Sequence, residues 1–375
     1  MFCCRRAFAA AALSLVTLVS ASFAKAADLP VKAKPIADLP FFLLVDNRVT
    51  FSYIFQATGP GHWSRNPNGT INGKTEKQLY SFTHYDAWAY GTNLFAISMY
   101  KSGHNDPAAP CTSPRAITDP LGTPPFATVS ANCPGATEIY GLFRSTFGWN
   151  QISNTKAFTM GPLHDISFEV GLDANYENDY NAAAKRVVVA GLQFAFDLPY
   201  KGLFNVAPLM YYEFSNHSGF LQCGAGWNLP AATVPGVTCS PDGSKSYKPT
   251  WAVEINYNLD LGFLPEKLQY FSISGRADFH GPKGNQHAPL GIASGGTATK
   301  VEINSEPIRL TFDASKAFAG PKYSHLVDVW VAYRYWQNKY GLDANASPTC
   351  FTNIPGQSNK SCTESSLFSG ITAKF

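Results

Sequence analysis

From Asn47 onward the chain alternates apolar and polar side chains at every second residue, in segments broken by turn-forming residues. In 166–175, Ile166, Phe168, Val170, Leu172 and Ala174 oppose Ser167, Glu169, Gly171, Asp173 and Asn175. In 250–260, Trp251, Val253, Ile255, Tyr257 and Leu259 oppose Thr250, Glu254, Asn256, Asn258 and Asp260. Segments 271–280 and 326–336 repeat the pattern, with Arg276, Asp278 and His280 on the polar side of the first and Asp328, Trp330, Arg334 and Trp336 on that of the second. A period of two over this length predicts β-strands with two different faces. Together with weaker stretches the pattern predicts twelve strands, near 47–56, 77–88, 92–101, 137–149, 164–175, 185–197, 204–214, 250–261, 269–280, 306–314, 326–337 and 366–375. Pro307 falls in the tenth and fits a strand edge better than an interior.

The spacings between these segments also alternate. Connections after even-numbered strands are short and those after odd-numbered strands are mostly long, such as 102–136, 215–249 and 338–365. An even number of strands of about 9–11 residues, with short turns on one side and long loops on the other, is the pattern of a transmembrane antiparallel β-barrel with both termini periplasmic. The segment ending at Phe375 fits this plan: Leu367, Ile371 and Phe375 are expected to face lipid, and Thr372 and Lys374 water. It should pair with the first strand around 49–55, and Phe375 is expected to act as an assembly signal. A soluble β-sandwich also alternates, but it needs neither segregated loop lengths nor a terminal aromatic strand.

Composition then locates the barrel. Arg5 and Arg6 precede an apolar run from Ala7 to Phe23 and the sequence Ala24-Lys25-Ala26, which predicts a secretory signal peptide at 1–26. The alternative, a retained anchor, has a run short for a membrane helix, and no other stretch is long and apolar enough for one. Residues 27–45, with three prolines in 27–40, read as a periplasmic tail before a barrel at 46–375. Arg5, Arg6 and Lys25 account for the excess of 29 basic over 26 acidic residues, so the remainder is neutral and nucleic-acid binding has no electrostatic support. An exported barrel implies outer-membrane lipid and the barrel-assembly machinery as partners.

Six cysteines lie beyond residue 26, in the couples Cys111–Cys133, Cys223–Cys239 and Cys350–Cys362, all within long loops. In an exported chain these predict three disulfides, each worth about 3 kcal/mol if unstrained. Metal binding is the alternative, but C-x-x-C and histidine spacing are lacking, and neither a metal nor a cofactor is expected.

The inward polar set comprises Glu138, Tyr140, Arg144, Glu169, Asp173, Tyr211, Glu213, Glu254, Asn256, Arg276, Asp278, Arg309, Asp313, Asp328, Trp330, Arg334 and Trp336. Both signs of charge are present in similar number, which disfavours strong ion selectivity, and the aromatic members could stack a flat ring while acids and bases bond its polar edge. That suits a small, neutral, polar, ring-bearing solute; the same charges could instead bridge and fill a narrow lumen. His84 and Asp86, two apart on one strand, are the local constellation closest to catalytic form, and Asp278 with His280 is similar. Side chains at that spacing stand about 6–7 Å apart, and no nucleophile motif accompanies them, so an enzyme is not expected. The competing readings are a barrel with a closed lumen serving structure or surface interaction, and a barrel hydrolase.

Five stretches carry a family likeness: SFTHYDAWAYGTNLF at 81–95, GLDANYENDYNAAAKRVVVAGLQFAFDLP at 171–199, YYEFSNH at 211–217, FHGPKG at 279–284 and YRYWQNKYG at 333–341. They resemble the alphaproteobacterial branch of the nucleoside-specific outer-membrane channel (Tsx-like) family. The resemblance implies a monomeric twelve-stranded barrel passing nucleosides and related solutes by facilitated diffusion. It ranks His84 and Asp86, in the best-matching stretch, among the lumen residues. The cysteine couples depart from the family pattern and bear on the loops around the entrance.

Overall fold

The computed structural model describes residues 41–65, 68–103, 106, 135–178, 183–218, 244–284, 298–352, 354 and 356–375. The expected signal peptide and residues 27–40 of the expected tail lie outside them, as do Cys111–Cys133 and Cys223–Cys239.

Twelve long strands build one antiparallel barrel: β1 (Phe42–Ala57), β2 (Thr75–Trp88), β3 (Gly91–Ser102), β4 (Thr137–Gly148), β5 (Leu163–Glu177), β6 (Ala184–Leu198), β7 (Gly202–His217), β8 (Thr250–Asp260), β9 (Phe271–His280), β10 (Glu302–Asp313), β11 (Val327–Gln337) and β12 (Glu364–Lys374). Each pairs with its neighbours in sequence, and β12 returns to β1 with Arg48 opposite Lys374 and Ile54 opposite Phe368. The sheet therefore closes with no free edge among these strands, so their backbone groups bond one another without calling on water. Short connections and the ends of β1 and β12 share one end of the barrel. The long connections share the other, the long-loop end.

Hydrophobicity is inverted relative to a water-soluble fold. Phe51, Phe55, Leu172, Met210, Trp251, Leu367 and Ile371 stand outward and exposed, whereas Asp173, Glu169, Glu213, Glu302, Lys283 and Arg334 are buried inside. Keeping one large apolar side chain in water rather than oil costs about 1.5–3 kcal/mol, and the outward belt contains many of them. A wall of that kind is stable against lipid and not against water. Aromatic rings gather at the short-turn rim, where Phe41 stacks on Trp88 at 5.8 Å and Trp88 meets Tyr90 and Phe147 edge-on. Such rings suit the lipid–water boundary, and tryptophan and tyrosine add a polar tip to an apolar body.

Two boundaries differ from the sequence reading. β1 begins at Phe42, inside the expected tail, because Phe42–Val45 pair with β2 although four consecutive apolar residues show no alternation. β10 begins at Glu302 rather than 306, and Pro307 lies within it. A closed barrel offers no edge for a proline, and the strand accommodates it with a bulge: pairing skips from Ser305 to Ile308 on the β11 side and from Arg276 to Ser274 on the β9 side. Its carbonyl accepts a hydrogen bond from the Tyr257 hydroxyl at 2.9 Å.

The short-turn end also carries two short helices, α1 (Trp149–Ile152) and α2 (Ala314–Ala319). Asp313 caps α2, accepting from the Lys316 amide at 2.8 Å. No helix among the described residues is long and apolar enough to cross a membrane.

Candidate functional site

Alternation along closed strands sends every second side chain into the lumen, and the register decides which. Arg144 on β4 fixes the inward parity because it meets Glu254 on β8, with β5, β6 and β7 between them around the wall. Only a path across the lumen joins them. Its Nη2 donates to Glu254 Oε1 at 2.6 Å and its Nε to Oε2 at 3.0 Å, while Nη1 donates to Asp173 Oδ1 at 2.7 Å. Glu169 lies 3.8 Å from Nε and also accepts from Gln193. One buried guanidinium thus serves three carboxylates, with the planar fork reaching two of them at once. A second crossing places the Arg334 guanidinium of β11 6.0 Å from the Tyr100 ring of β3.

Following the register from Arg144, the expected lumen residues Glu138, Tyr140, Glu169, Asp173, Tyr211, Glu213, Glu254, Asn256, Arg276, Asp278, Arg309, Asp313, Asp328, Trp330, Arg334 and Trp336 all point inward. His84 and Asp86 do not. His84 is paired with Phe95 and Asn47, and Asp86 with Asn93 and Val45, on the face that carries Tyr80, Phe82 and Phe375. Their assignment to the lumen is therefore corrected: they belong to a polar island on the outer wall near the short-turn rim. His84 Nδ1 meets Asn47 Oδ1 at 2.8 Å and Nε2 meets Asp86 Oδ2 at 3.1 Å, while Asn93 donates to Asp86 and Ser145 to Asn93. Such a network satisfies its own polar groups against an apolar surround. Both imidazole nitrogens are engaged, leaving neither for a general base.

The lumen has three zones. Near the short turns its β7–β8 side is exposed: Asn205 and Asn256 bond each other at 3.1 Å, and Asn258 and Asp260 lie beside them, while Ser272, Asp313, Asp328 and Thr372 at the same end are buried. At the middle, Arg276 and Asp278 pair at 2.7 Å on an accessible stretch of wall. Beside them Arg309 bonds Glu306 at 2.5 Å, and its guanidinium lies 3.9 Å from the centre of the Trp330 ring. Two inward apolar patches flank this polar wall, one of Ile54, Trp330, Ala332 and Phe368 and one of Val187, Val189, Leu209 and Ala252.

Toward the long-loop end the lumen fills with buried charge. Lys283 bonds Glu213, which also receives Asn216 and Tyr211. Glu302 accepts from Trp336 at 2.8 Å with His280 beside it, and Glu364 takes both Arg334 and Lys339 at 2.6 Å. Glu306, Lys283, Glu302, Lys339 and Glu364 escaped the sequence reading. Glu302 lay outside the expected strand, and Lys283 and Lys339 sit in connections, where no periodicity marks a face. Above these charges, Tyr340, Leu342, Cys350 and Cys362 of the β11–β12 connection bury themselves with Ala183, Tyr247 and Ala298 from three other long-loop connections. Burial pushes the Tyr247 hydroxyl well above its ordinary pKa, so it stays neutral there. The Cys350–Cys362 disulfide forms, with Cα atoms 5.5 Å apart.

At the short-turn rim, Asp313, His325 and Asp328 bring ligand-type atoms within 4.8 Å of one another. Asp313 is already committed: its oxygens accept from Ser315, Ser324 and the amides of Lys316 and His325. His325 Nδ1 meets Asp328 at 3.1 Å, and this contact raises the imidazole pKa above its ordinary value. The arrangement is a closed turn linking β10 to β11, with the oxygens that a cation would need already occupied.

The fold and lumen define a closed, lipid-clad barrel with a polar interior. No family model and no curated protein matches the chain. Among solved structures it is similar to LpxR from Salmonella typhimurium, at 8% identity and a TM-score of 0.35, covering 88% of this chain and 100% of that one. It is also similar to the TodX deltaS2S3 mutant monoaromatic hydrocarbon channel, at 8% identity and a TM-score of 0.34, covering 88% and 89%. For OccK11 (OpdR) of Pseudomonas aeruginosa the values are 7%, 0.25, 88% and 95%. At these values function rests on the chain's own residues, and the likeness to nucleoside-specific channels gains no support from these structures.

Proposed function

We propose that the chain is a passive channel of the bacterial outer membrane for small polar solutes, with nucleosides the leading candidates. The observation that carries this reading is the inverted wall: an apolar outer belt encloses a polar lumen whose β8 stretch near the short turns carries the exposed Asn256, Asn258 and Asp260. A protein filling its interior for stability alone has no reason to leave such polar inward residues uncovered. The Arg276–Asp278 and Glu306–Arg309 pairs present both charges side by side, which favours solutes with hydrogen-bonding edges over net ions. The Arg309–Trp330 stack adds a flat surface for a ring. The preference for nucleosides comes from the sequence resemblance.

A second reading, a barrel with a permanently closed lumen, is favoured by the cover of Tyr340 and Leu342 across the long-loop end. Liposomes containing the purified protein separate the two. Adenosine uptake faster than that of a sugar of equal size supports the nucleoside channel, equal rates reduce it to a general small pore, and no uptake of either supports the closed barrel.

A further inference from the structure

We propose that the described residues of the β11–β12 connection, 338–352, 354 and 356–363, form a gate over the long-loop mouth, latched to the wall by Lys339 and Tyr340. The proposal rests on the channel reading above and concerns what opens that channel. Lys339 turns inward and donates to Glu364 Oε2 and to the Thr58 carbonyl, each at 2.6 Å, in a buried position. Tyr340 reaches across to Glu177 of β5, its hydroxyl donating at 3.2 Å. Backbone contacts complete the seat: the Lys300 amide donates to the Gly341 carbonyl at 3.0 Å, and the Gly61 amide to Ser361 Oγ at 3.0 Å. Gly73 approaches the backbone of Asn359 so closely that any Cβ there would overlap its carbonyl.

Three features distinguish a movable cover from a fixed plug. The disulfide joins Cys350 to Cys362 within the one connection, so it stiffens the cover without tying it to the barrel wall. The cover is joined to β11 through Asn338, Tyr340 and Gly341, all with positive φ, at 51°, 59° and 75°. Such residues form a tight, sharply turned hinge next to the latch, where small changes in dihedral angle swing the rest of the connection. Finally, Glu364 is held by Arg334 of the wall as well as by Lys339 of the cover. When the cover lifts, Glu364 keeps a cationic partner and Lys339 passes to water, so opening strands no buried charge. The apolar contacts that part on opening are those of Tyr340 and Leu342 with Ala183, Tyr247 and Ala298.

The test is single-channel recording of the full-length protein in planar bilayers, comparing wild type with K339M, Y340F and a form in which residues 339–362, latch and disulfide included, are replaced by a short Gly-Ser linker. Folding of each is checked by the shift in gel mobility on heating. The expected result is a rise in open probability of about tenfold for either latch variant, the size of a one-decade shift in a two-state equilibrium, and a constantly open linker form. A wild type as open as its latch variants overturns the gate and leaves the channel standing. Folded latch variants that stay as closed as wild type, while the linker form conducts, also overturn the latch. A folded linker form without conductance sinks the channel reading itself.

Discussion

Replacing Arg144 by methionine removes the charge that crosses the lumen while keeping most of the side-chain volume. Arg144 is 8% exposed and bonds Glu254 and Asp173 with both edges of its guanidinium, with Glu169 3.8 Å from Nε. Removing one partner from a buried ion pair typically costs about 3–5 kcal/mol, because the other partner is left charged and unpaired. Here three carboxylates lose their shared cation, though Glu169 retains Gln193, so R144M should lie within that range and not at a multiple of it. Urea titration of the folded barrel in detergent, followed by tryptophan fluorescence, reads this loss. Function should move as well. In the Gly-Ser linker background, expected to be constantly open, the reversal potential across a potassium chloride gradient should shift toward cation preference, since Glu169, Asp173 and Glu254 then face the water path. R144K should recover selectivity better than stability, because an ammonium supplies the charge but not the two-edged fork. An R144M protein within about 0.5 kcal/mol of its parent, the range of ordinary surface changes, with an unchanged reversal potential, would refute the cross-lumen strut.

Three further outcomes are expected. H84L should cost about 1 kcal/mol in the same titration, as for one hydrogen-bonded group, and leave solute flux per folded barrel unchanged, whereas a changed flux would return His84 to the lumen. The His325 imidazole should titrate above its ordinary value of 6.5 by NMR and fall back in D328N; its pairing stabilises the rim turn fully below the ordinary value and is lost as pH rises through the raised one. A midpoint at or below 6.5 in the wild type would contradict that pairing. Deleting Phe375, whose amide donates to the Asn47 carbonyl at 3.0 Å and whose ring faces outward, should lower the yield of folded barrel without altering flux through the barrels that form. Counting folded protein by heat-modified gel mobility separates the two effects.

Strand number, pairing of β12 with β1, and the faces of β4, β5, β8, β9 and β11 were legible in the sequence because each rests on local alternation. Where alternation lapses, the reading slipped: Phe42–Val45 are apolar on both faces, and Pro307 disguises β10 as two pieces. His84 and Asp86 were misplaced for a different reason. Their face was readable from Tyr80, Phe82 and Trp88 on the same side and Leu79, Ser81 and Thr83 on the other, but polarity and family likeness pointed inward. A polar island on a lipid wall breaks the rule that polar means lumen, and only mutual bonding among side chains of β1, β2, β3 and β4 makes it tolerable. The Arg144–Glu254 strut was beyond any local pattern, since the partners are 110 residues apart and meet only once the ring closes. Lys339 is equally silent in sequence: a lysine in a loop is ordinarily solvated, and its burial results from its connection folding against the β1–β2 connection, where it meets the Thr58 carbonyl.

The most direct test is blockage from within the lumen. Cysteine placed at Asn256 or at its neighbour Ile255 is reacted with a bulky, water-soluble maleimide, and adenosine uptake into liposomes is then measured. Asn256 faces the lumen in an exposed position and Ile255 faces the outer wall, so modification at N256C should abolish most uptake and I255C should neither react readily nor lose uptake. Uptake that survives full modification at N256C, or falls equally at both positions, would contradict a solute path through the barrel.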